Sequence, residues 1–300
     1  MTGNLKYIVT LLLTIQFLKG TYGQAVAGAA PAIMGKLSSG VLNEVSGIAV
    51  SGSYKNIFYV HNDSGDSNRF FAINIHGQLI STYSFAGNTN SFNSVKDCED
   101  IAIGPGPLKG RSYIYLADIG DNGAVRLSVR VYRFREPATL NEKRYTITGE
   151  SLELLYPDGP RDAETIMIDP LEKMLYVVSK REDSVGIYRC SLNFRNGEKV
   201  ILQKSGKLYL PGSGPKKWIV SGDISPDGSW IILKTVQDVY GWKRDGNEPI
   251  FKTFQRSPKR QTAFVSHGQE EAITFSPDRK GYYVAAEGTG SKIYYYRLEQ

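Results

Sequence analysis

The chain has 300 residues, a formal net charge of +6 at pH 7 and 41% hydrophobic residues, a composition typical of a globular protein. Its basic residues fall in short separate runs such as "GPKKW" (214–218) and "RSPKRQ" (256–261), a pattern that argues against nucleic-acid binding. Two cysteines and three histidines without zinc-ligand spacing argue against a structural zinc site.

Residues 1–23 have the pattern of a secretory signal peptide. Lys6 precedes an apolar run at 7–18, and the small residues Thr21 and Gly23 suit a signal peptidase. The apolar run is shorter than the about 20 residues that a membrane span requires. We therefore expect a secreted, extracellular protein with no membrane span after cleavage. An uncleaved membrane anchor is the alternative.

The rest of the chain, residues 24–300, repeats one pattern five times. Each copy contains a short strand, a tight turn rich in Pro, Asp or Gly, a second strand, a polar loop and a third strand with aromatic residues. The first strands of the five copies read "GIAVS", "DIAIG", "TIMID", "DISPD" and "AITFS". A fourth strand is predicted after four of the copies, at 78–85, 144–148, 207–211 and 249–254.

Repeated four-stranded units of this length are typical of a β-propeller, so we predict an all-β fold with one propeller domain over residues 24–300. Five copies predict five blades. A sixth, degenerate blade is the alternative, and it would lie in 136–160 or 191–219, where the spacing is largest. The last copy lacks a fourth strand, which the segment 31–39 can supply to close the ring.

Acidic residues collect at two places in the copies: the start of the first strand and the loop between the second and third strands. Because strands alternate direction within a blade, both places lie around one mouth of the central channel. Carboxylate and amide oxygens are the ligands that Ca²⁺ prefers. The predicted ligands of a Ca²⁺ site at this mouth are Asp97, Glu99, Asp118, Asp121, Asn122, Asp162 and Glu164.

Basic residues occur near the same rim. We predict that Arg161, Lys180 and Arg181 bind the anionic part of a ligand. The structural alternative is that the acidic residues cap backbone amides or pair with basic neighbours, and the sequence leaves this open.

A metal-dependent hydrolase of phosphate or ester bonds is an alternative function for the same mouth. His61 or Glu164 would then act as general base. The absence of a G-x-S-x-G motif argues against a serine hydrolase of the common type.

Two covalent features follow from secretion. Asn62, Asp63 and Ser64 form an N-glycosylation sequon, which makes Asn62 a predicted glycosylation site. Cys98 and Cys190 could form a disulfide, but the sequence does not decide whether they lie close enough.

Four phrases of the sequence resemble a family of secreted β-propeller proteins from bacteria and invertebrates, most of which have no assigned activity. These phrases are "DCEDIAIGPG" (97–106), "YLADIGDN" (115–122), "VRVYRFREP" (129–137) and "YPDGPRDAETIMIDP" (156–170). The resemblance covers residues 40–300 and implies a propeller. In architecture the chain is also distantly similar to phytase-like, calcium-dependent propellers, which implies a channel mouth lined for cations.

The sequence thus favours a secreted, monomeric binding protein that holds Ca²⁺ and, through it, a small anionic or carbohydrate ligand. The metal-dependent hydrolase is one alternative. A non-enzymatic component of the extracellular matrix, associated with mineral in an invertebrate, is the other.

Overall fold

The structure is a computed structural model that describes residues 30–63, 65–86 and 95–300. The predicted signal peptide, residues 1–23, lies outside the described residues. Strands make up 49% of the structure and helices 3%, arranged as a five-bladed β-propeller. Among the described residues, no helix has the length and apolar character needed to cross a membrane.

The described residues contain five sheets, one for each blade. The strands of blade 1, from the channel outward, are β2 (Val45–Val50), β3 (Ile57–Asn62), β4 (Arg69–Asn74), β5 (Leu79–Phe85) and β9 (Arg144–Ile147). Those of blade 2 are β6 (Cys98–Pro105), β7 (Ser112–Asp118), β8 (Val129–Arg135), β10 (Glu150–Leu155) and β14 (Glu198–Ile201). Those of blade 3 are β11 (Ala163–Asp169), β12 (Met174–Ser179), β13 (Val185–Ser191) and β15 (Gln203–Leu208).

The strands of blade 4 are β16 (Ile219–Ile224), β17 (Trp230–Thr235), β18 (Val239–Lys243) and β19 (Lys259–Arg260). Those of blade 5 are β20 (Glu270–Phe275), β21 (Gly281–Ala286), β22 (Lys292–Arg297) and β1 (Ala32–Lys36). The first strands, β2, β6, β11, β16 and β20, contact one another in a closed ring. They therefore surround the central channel.

The ring closes through the N-terminal strand, as the sequence predicted. Strand β1 pairs antiparallel with β22 of the last copy, with Ala32 opposite Tyr295 and Lys36 opposite Lys292. The first and last parts of the chain thus share one sheet, and the edge that β22 would otherwise expose is covered.

Blades 1 and 2 carry outer strands that the prediction did not place there. Residues 144–147 form β9, which pairs parallel with β5 of blade 1 rather than serving as the fourth strand of blade 2. Similarly, β14 adds parallel to β10. The long spacings near 136–160 and 191–219 therefore hold extra outer strands, and the six-blade alternative is wrong.

The described residues include two short helices, and one of them replaces a predicted strand. The predicted fourth strand of blade 4 is instead the helix α1 (Ile250–Thr253), and the true fourth strand, β19, follows it. Pro249 occupies the N-cap of α1, and its lack of a backbone N–H suits the start of a helix. A short 3₁₀ helix (Gly214–Lys217) precedes β16.

The hydrophobic core consists of one apolar cluster at each of the five blade interfaces. Side chains alternate along each strand, so one face of a blade packs on the preceding blade and the other face on the next. Blades 1 and 2 meet through aromatic rings, for example Tyr59, Phe70 and Phe134. Cys98 lies buried in this cluster and Cys190 in the one between blades 2 and 3, both as free thiols, so the disulfide alternative is not supported.

Candidate functional site

The starts of the first strands and the loops after the second strands meet at one mouth of the channel, as predicted. The Asp63 backbone N–H donates to the Glu44 carbonyl at 2.8 Å in blade 1. The Gly120 N–H donates to the Asp97 carbonyl at 3.1 Å in blade 2, and the Lys180 N–H to the Asp162 carbonyl at 3.0 Å in blade 3. These bonds fix the loop of each blade beside its own strand start.

A β-bulge occurs at the same position of the first strand in all five blades. Pairing with the second strand skips one residue there, and the skipped residues are Ser46, Glu99, Glu164, Val220 and Glu271. A bulge breaks the regular alternation of side chains and redirects the extra residue. Three of the five bulge residues are glutamates, so the bulges direct carboxylates to this mouth.

Three carboxylates form the centre of the site. One oxygen each from Asp63, Asp97 and Glu99 lies within 4.8 Å of the other two. Glu99 is only 3% exposed. Gly120 covers the group so closely that an added Cβ would lie 2.2 Å from Glu99 Oε1 and 2.4 Å from Asp97 Oδ2. We call the group Asp63, Asp97 and Glu99, together with Glu164 and Glu271, the acidic mouth.

The surroundings of these carboxylates oppose their ionisation. Burial and the charges of neighbouring carboxylates, above all Asp63, raise the pKa of Asp97 to about 6. Burial raises the pKa of Glu99 well above its usual range, and the negative charges of Glu164, Asp63 and Asp97 add to this rise. Protons or a cation must therefore balance the group near neutral pH.

Glu164 lies between the carboxylates of Asp63, Asp97 and Glu99 and a basic edge formed by Lys180 and Arg181. Its Oε1 accepts a bond from the Lys180 ammonium, which opposes the rise in the Glu164 pKa caused by burial. Its other oxygen, Oε2, is buried and has no hydrogen-bond partner within the described parts of the chain. The Trp218 ring lies under this edge, with the Arg181 guanidinium carbon 4.2 Å from the ring centroid. Glu164 thus offers one free oxygen next to Glu99.

An acidic pair, Glu271 and Glu287, extends the mouth into blade 5. Burial and the charge of Glu271 raise the pKa of Glu287 to about 8. Glu271 also raises the pKa of Glu164. Blades 1, 2, 3 and 5 therefore contribute carboxylates that act on one another across the mouth.

Four of the predicted metal ligands have structural partners instead. Asp118 Oδ1 pairs with Arg126 at 2.8 Å, and Asp121 accepts the Val125 and Arg126 backbone N–H groups at 3.0 and 2.8 Å. For Asp162, the partners are Arg181 at 2.5 Å and the Asp121 N–H at 2.9 Å. Asn122 accepts from Arg181. These four residues therefore pair with basic side chains or cap backbone amides, as the structural alternative predicted. The other three predicted ligands, Asp97, Glu99 and Glu164, belong to the acidic mouth.

The predicted anion-binding residues are also paired. Arg161 bonds Asp158 at 2.9 Å and Glu182 at 2.6 Å, and its guanidinium stacks over Tyr188. Lys180 and Arg181 have the carboxylate partners named above. Arg161 therefore serves its own ion pairs, whereas Lys180 and Arg181 lie at the edge of the acidic mouth.

The structure contradicts the prediction that His61 faces the mouth. The ring is fully buried, with Nδ1 2.8 Å from the Asn62 carbonyl oxygen. Its Nε2 packs on Gly47, where an added Cβ would lie 2.4 Å away. Burial lowers the His61 pKa to about 4, so the ring is neutral. Because the ring is buried, it cannot contact a substrate at the mouth, and the predicted role of His61 as general base is wrong.

Asn62 is 4% exposed and is unsuited to carry a glycan in the folded protein. Its Nδ2 donates to the Val41 carbonyl at 2.8 Å and to Asp66 Oδ2 at 2.9 Å. A glycan on this nitrogen would displace both bonds.

Asp63 lies in a loop after a second strand and Glu271 at the start of a first strand, the two places where the sequence predicts acidic residues, but neither is among the predicted ligands. The signal for Glu271 was present, because aligned copies place glutamate at the second position of three first strands. Asp63 carries no such signal, since its approach to Asp97 joins two different blades.

No protein-family model and no curated protein sequence match the chain. Among solved structures, a chain of "Kuenenia stuttgartiensis Hydrazine Synthase" is similar at 11% sequence identity and a TM-score of 0.44, over 88% of this chain and 76% of that chain. A likeness at this level concerns the fold alone and carries no argument about ligand or activity. The resemblance to a family of secreted propellers stays a prediction.

Proposed function

We propose that this protein binds a divalent cation, preferentially Ca²⁺, at the acidic mouth, with Asp63, Asp97 and Glu99 as its ligands. The observation that carries the proposal is the approach of three carboxylate oxygens to within 4.8 Å of one another, in a group whose central member is almost fully buried. Oxygens bound to one Ca²⁺ at its usual distances are no more than about 5 Å apart.

The type and number of ligands favour Ca²⁺ over other metals. The group contains oxygen only, without the imidazole or thiolate ligands that select zinc or copper. Ca²⁺ takes six to eight oxygens in flexible geometry, whereas Mg²⁺ requires a near-ideal octahedron. The buried Oε2 of Glu164, which has no hydrogen-bond partner among the described residues, supports a cation at the same mouth.

A small anionic or carbohydrate ligand completes the proposal. Three carboxylates leave coordination positions on Ca²⁺ that ligand oxygens can fill. Lys180 and Arg181 border the mouth and lie on the half-buried Trp218 ring, a surface that suits the apolar face of a sugar and its anionic groups. Secretion, a monomeric state and a place in the extracellular matrix stay predictions of the sequence.

Binding is favoured over hydrolysis. The hydrolase alternative required a base at the mouth, and buried His61 does not supply one. Glu164, the other candidate base, is bonded to Lys180. No second function is proposed for this mouth.

Calorimetric titration of the purified protein with CaCl₂ and MgCl₂ tests the proposal. We expect one saturable Ca²⁺ site, with Ca²⁺ bound more tightly than Mg²⁺. Glu99→Gln should weaken Ca²⁺ by about tenfold or more, the loss of at least one charged contact. Glu142→Gln, which removes the same charge from an exposed outer position, is the matched control and should leave the affinity unchanged. No saturable heat, or equal losses in both variants, would refute the proposal.

A further inference from the structure

The opposite end of the channel has a different chemistry. The sixth residue of each first strand lies at this end, and it is apolar in all five blades. We call this ring the apolar mouth, and its members are Val50, Ile103, Ile168, Ile224 and Phe275. They line a cavity of about 430 Å³ at this end, within the roughly 300–1,000 Å³ of ligand pockets.

The cavity is formed by tightly packed backbone. An added Cβ on Gly104 would lie 2.1 Å from Ile168 Cγ2, and one on Gly52 would lie 2.2 Å from Ser112 Oγ. Pro170, Pro226 and Pro277 follow three of the first strands and restrict the backbone at the rim. These contacts favour a preformed cavity over one that collapses.

Asp223 lines the inner end of the cavity, and hydrogen bonds from the protein already hold its carboxylate. Its oxygens accept the Ile224 N–H at 2.8 Å, the Phe275 N–H at 2.8 Å and the Thr274 hydroxyl at 2.9 Å. Three donors hold this carboxylate in place, and its negative charge disfavours an anion placed at the same depth. The charged end of any anionic ligand must therefore lie at the rim.

Arg111 supplies the complementary charge at the rim. It is exposed and lines the cavity, and its side chain makes no ion pair or hydrogen bond with any described residue. An unpaired guanidinium beside an apolar cavity is complementary to a carboxylate or sulfonate whose apolar body enters the cavity.

We propose that the apolar mouth binds a small organic anion with an apolar aromatic or aliphatic body, with its acidic group on Arg111. This site lies at the other end of the channel from the proposed cation site and does not depend on it.

Fluorescence titration with anilinonaphthalene sulfonate, an apolar aromatic anion, tests the inference. We expect saturable binding by the wild-type protein and about tenfold weaker binding by Arg111→Gln, the effect of one lost charge-assisted contact. Lys109→Gln removes the same charge from the same turn without lining the cavity, and it should bind the probe as the wild type does. The uncharged analogue N-phenyl-1-naphthylamine should bind equally to the wild type and to Arg111→Gln.

A second variant tests the location of the probe. Val50→Trp fills the cavity from a half-buried position and should abolish binding of both probes, with folding checked by its melting curve. Equal losses in the Arg111 and Lys109 variants would overturn the inference, since they would show a general charge effect. Undiminished binding by folded Val50→Trp would also overturn the inference, because the probe would then bind elsewhere. Concentration-dependent dimers that the probe dissociates would overturn it as well, because a second copy of the chain would then occupy the cavity.

Discussion

The two ends of the channel are built from the same five strands and differ in almost every chemical property. The second position of the first strands carries three glutamates in bulges, at Glu99, Glu164 and Glu271. The sixth position carries only apolar residues, and among the described residues that line the cavity there Arg111 is the one charged side chain without a partner. One repeated backbone thus gives two rings of equivalent positions, and the residue type at each ring sets its charge and polarity.

Polar side chains in the middle of the channel separate the two ends. Asp100 of blade 2 accepts the Ile101 and Ile166 N–H groups at 2.9 Å each and the Ser221 hydroxyl of blade 4 at 3.4 Å. These bonds join blades 2, 3 and 4 through one buried side chain. A layer of buried hydrogen bonds that stabilises the fold therefore lies between the two ends.

The largest expected effect comes from removing that layer. Asp100→Ala leaves two buried backbone N–H groups without their acceptor, and it should lower the free energy of unfolding by about 3 kcal/mol. Urea unfolding followed by tryptophan fluorescence measures the loss. Asp100→Asn keeps one acceptor oxygen and should lose less. A loss below about 1 kcal/mol for the alanine variant would show that the layer is not what joins the blades.

Glu99→Gln should have opposite effects with and without a cation. In EDTA it removes a carboxylate whose pKa burial and neighbouring charges have raised, so it should stabilise the protein by on the order of 1 kcal/mol. In Ca²⁺ it should lose the stabilisation that the wild type gains. Melting temperatures of both proteins in both buffers give the sign directly.

Destabilisation by Glu99→Gln in both buffers would contradict the account, since Glu99 would then be a structural acceptor like Asp100. The exposed variant Glu142→Gln controls for the change in net charge and should leave both melting temperatures unchanged.

A moderate effect is expected from pH. Asp97, with a pKa of about 6, and Glu287, with a pKa of about 8, hold protons in the folded protein that the unfolded chain releases near pH 4. The stability that protonation gives is present at low pH and is lost as pH rises through these values. In EDTA the melting temperature should therefore fall between about pH 5 and about pH 8.

The gain from Ca²⁺ should grow over the same pH range, because the cation competes with those protons. Melting curves in EDTA and in Ca²⁺ at several pH values measure both trends. A Ca²⁺ gain that is constant with pH would place the ion away from Asp97.

The smallest expected effect is coupling between the ends. A six-residue strand such as Val45–Val50 separates them by about 17 Å. With Asp100 between them, saturating the apolar mouth with anilinonaphthalene sulfonate should change the Ca²⁺ affinity by less than about twofold. Calorimetric titration with Ca²⁺ in the presence of the probe measures this. A larger change would show that the inner strands move as one unit.

The sequence predicted the fold well because its signals are local. Each strand, turn and strand lies within about 20 residues, and the five copies support one another. The prediction assigned 144–148 to blade 2 and did not include β14, because β9 and β14 each pair in parallel with a strand far away in the chain. The alternation of apolar and polar residues along a strand does not show which distant strand it pairs with.

The site was predicted only in part, for a physical reason. Propeller topology places Asp97, Glu99 and Glu164 at one mouth, which the strand order alone implies. Whether a carboxylate is free depends on side-chain partners, and Asp118 and Asp162 found theirs in Arg126 and Arg181. Those pairs depend on loop conformation, which the sequence pattern does not specify.

The most direct test of the central claim is thermal unfolding of the wild-type protein in EDTA, in excess Ca²⁺ and in excess Mg²⁺. A cation that binds only the folded protein stabilises it by about 2.7 kcal/mol at a hundredfold excess over its Kd. The account predicts a rise of several degrees in the melting temperature with Ca²⁺ and a smaller one with Mg²⁺. Superimposable curves in the three buffers would contradict it, and would mean that protons and neighbouring basic residues alone balance the carboxylates of the acidic mouth.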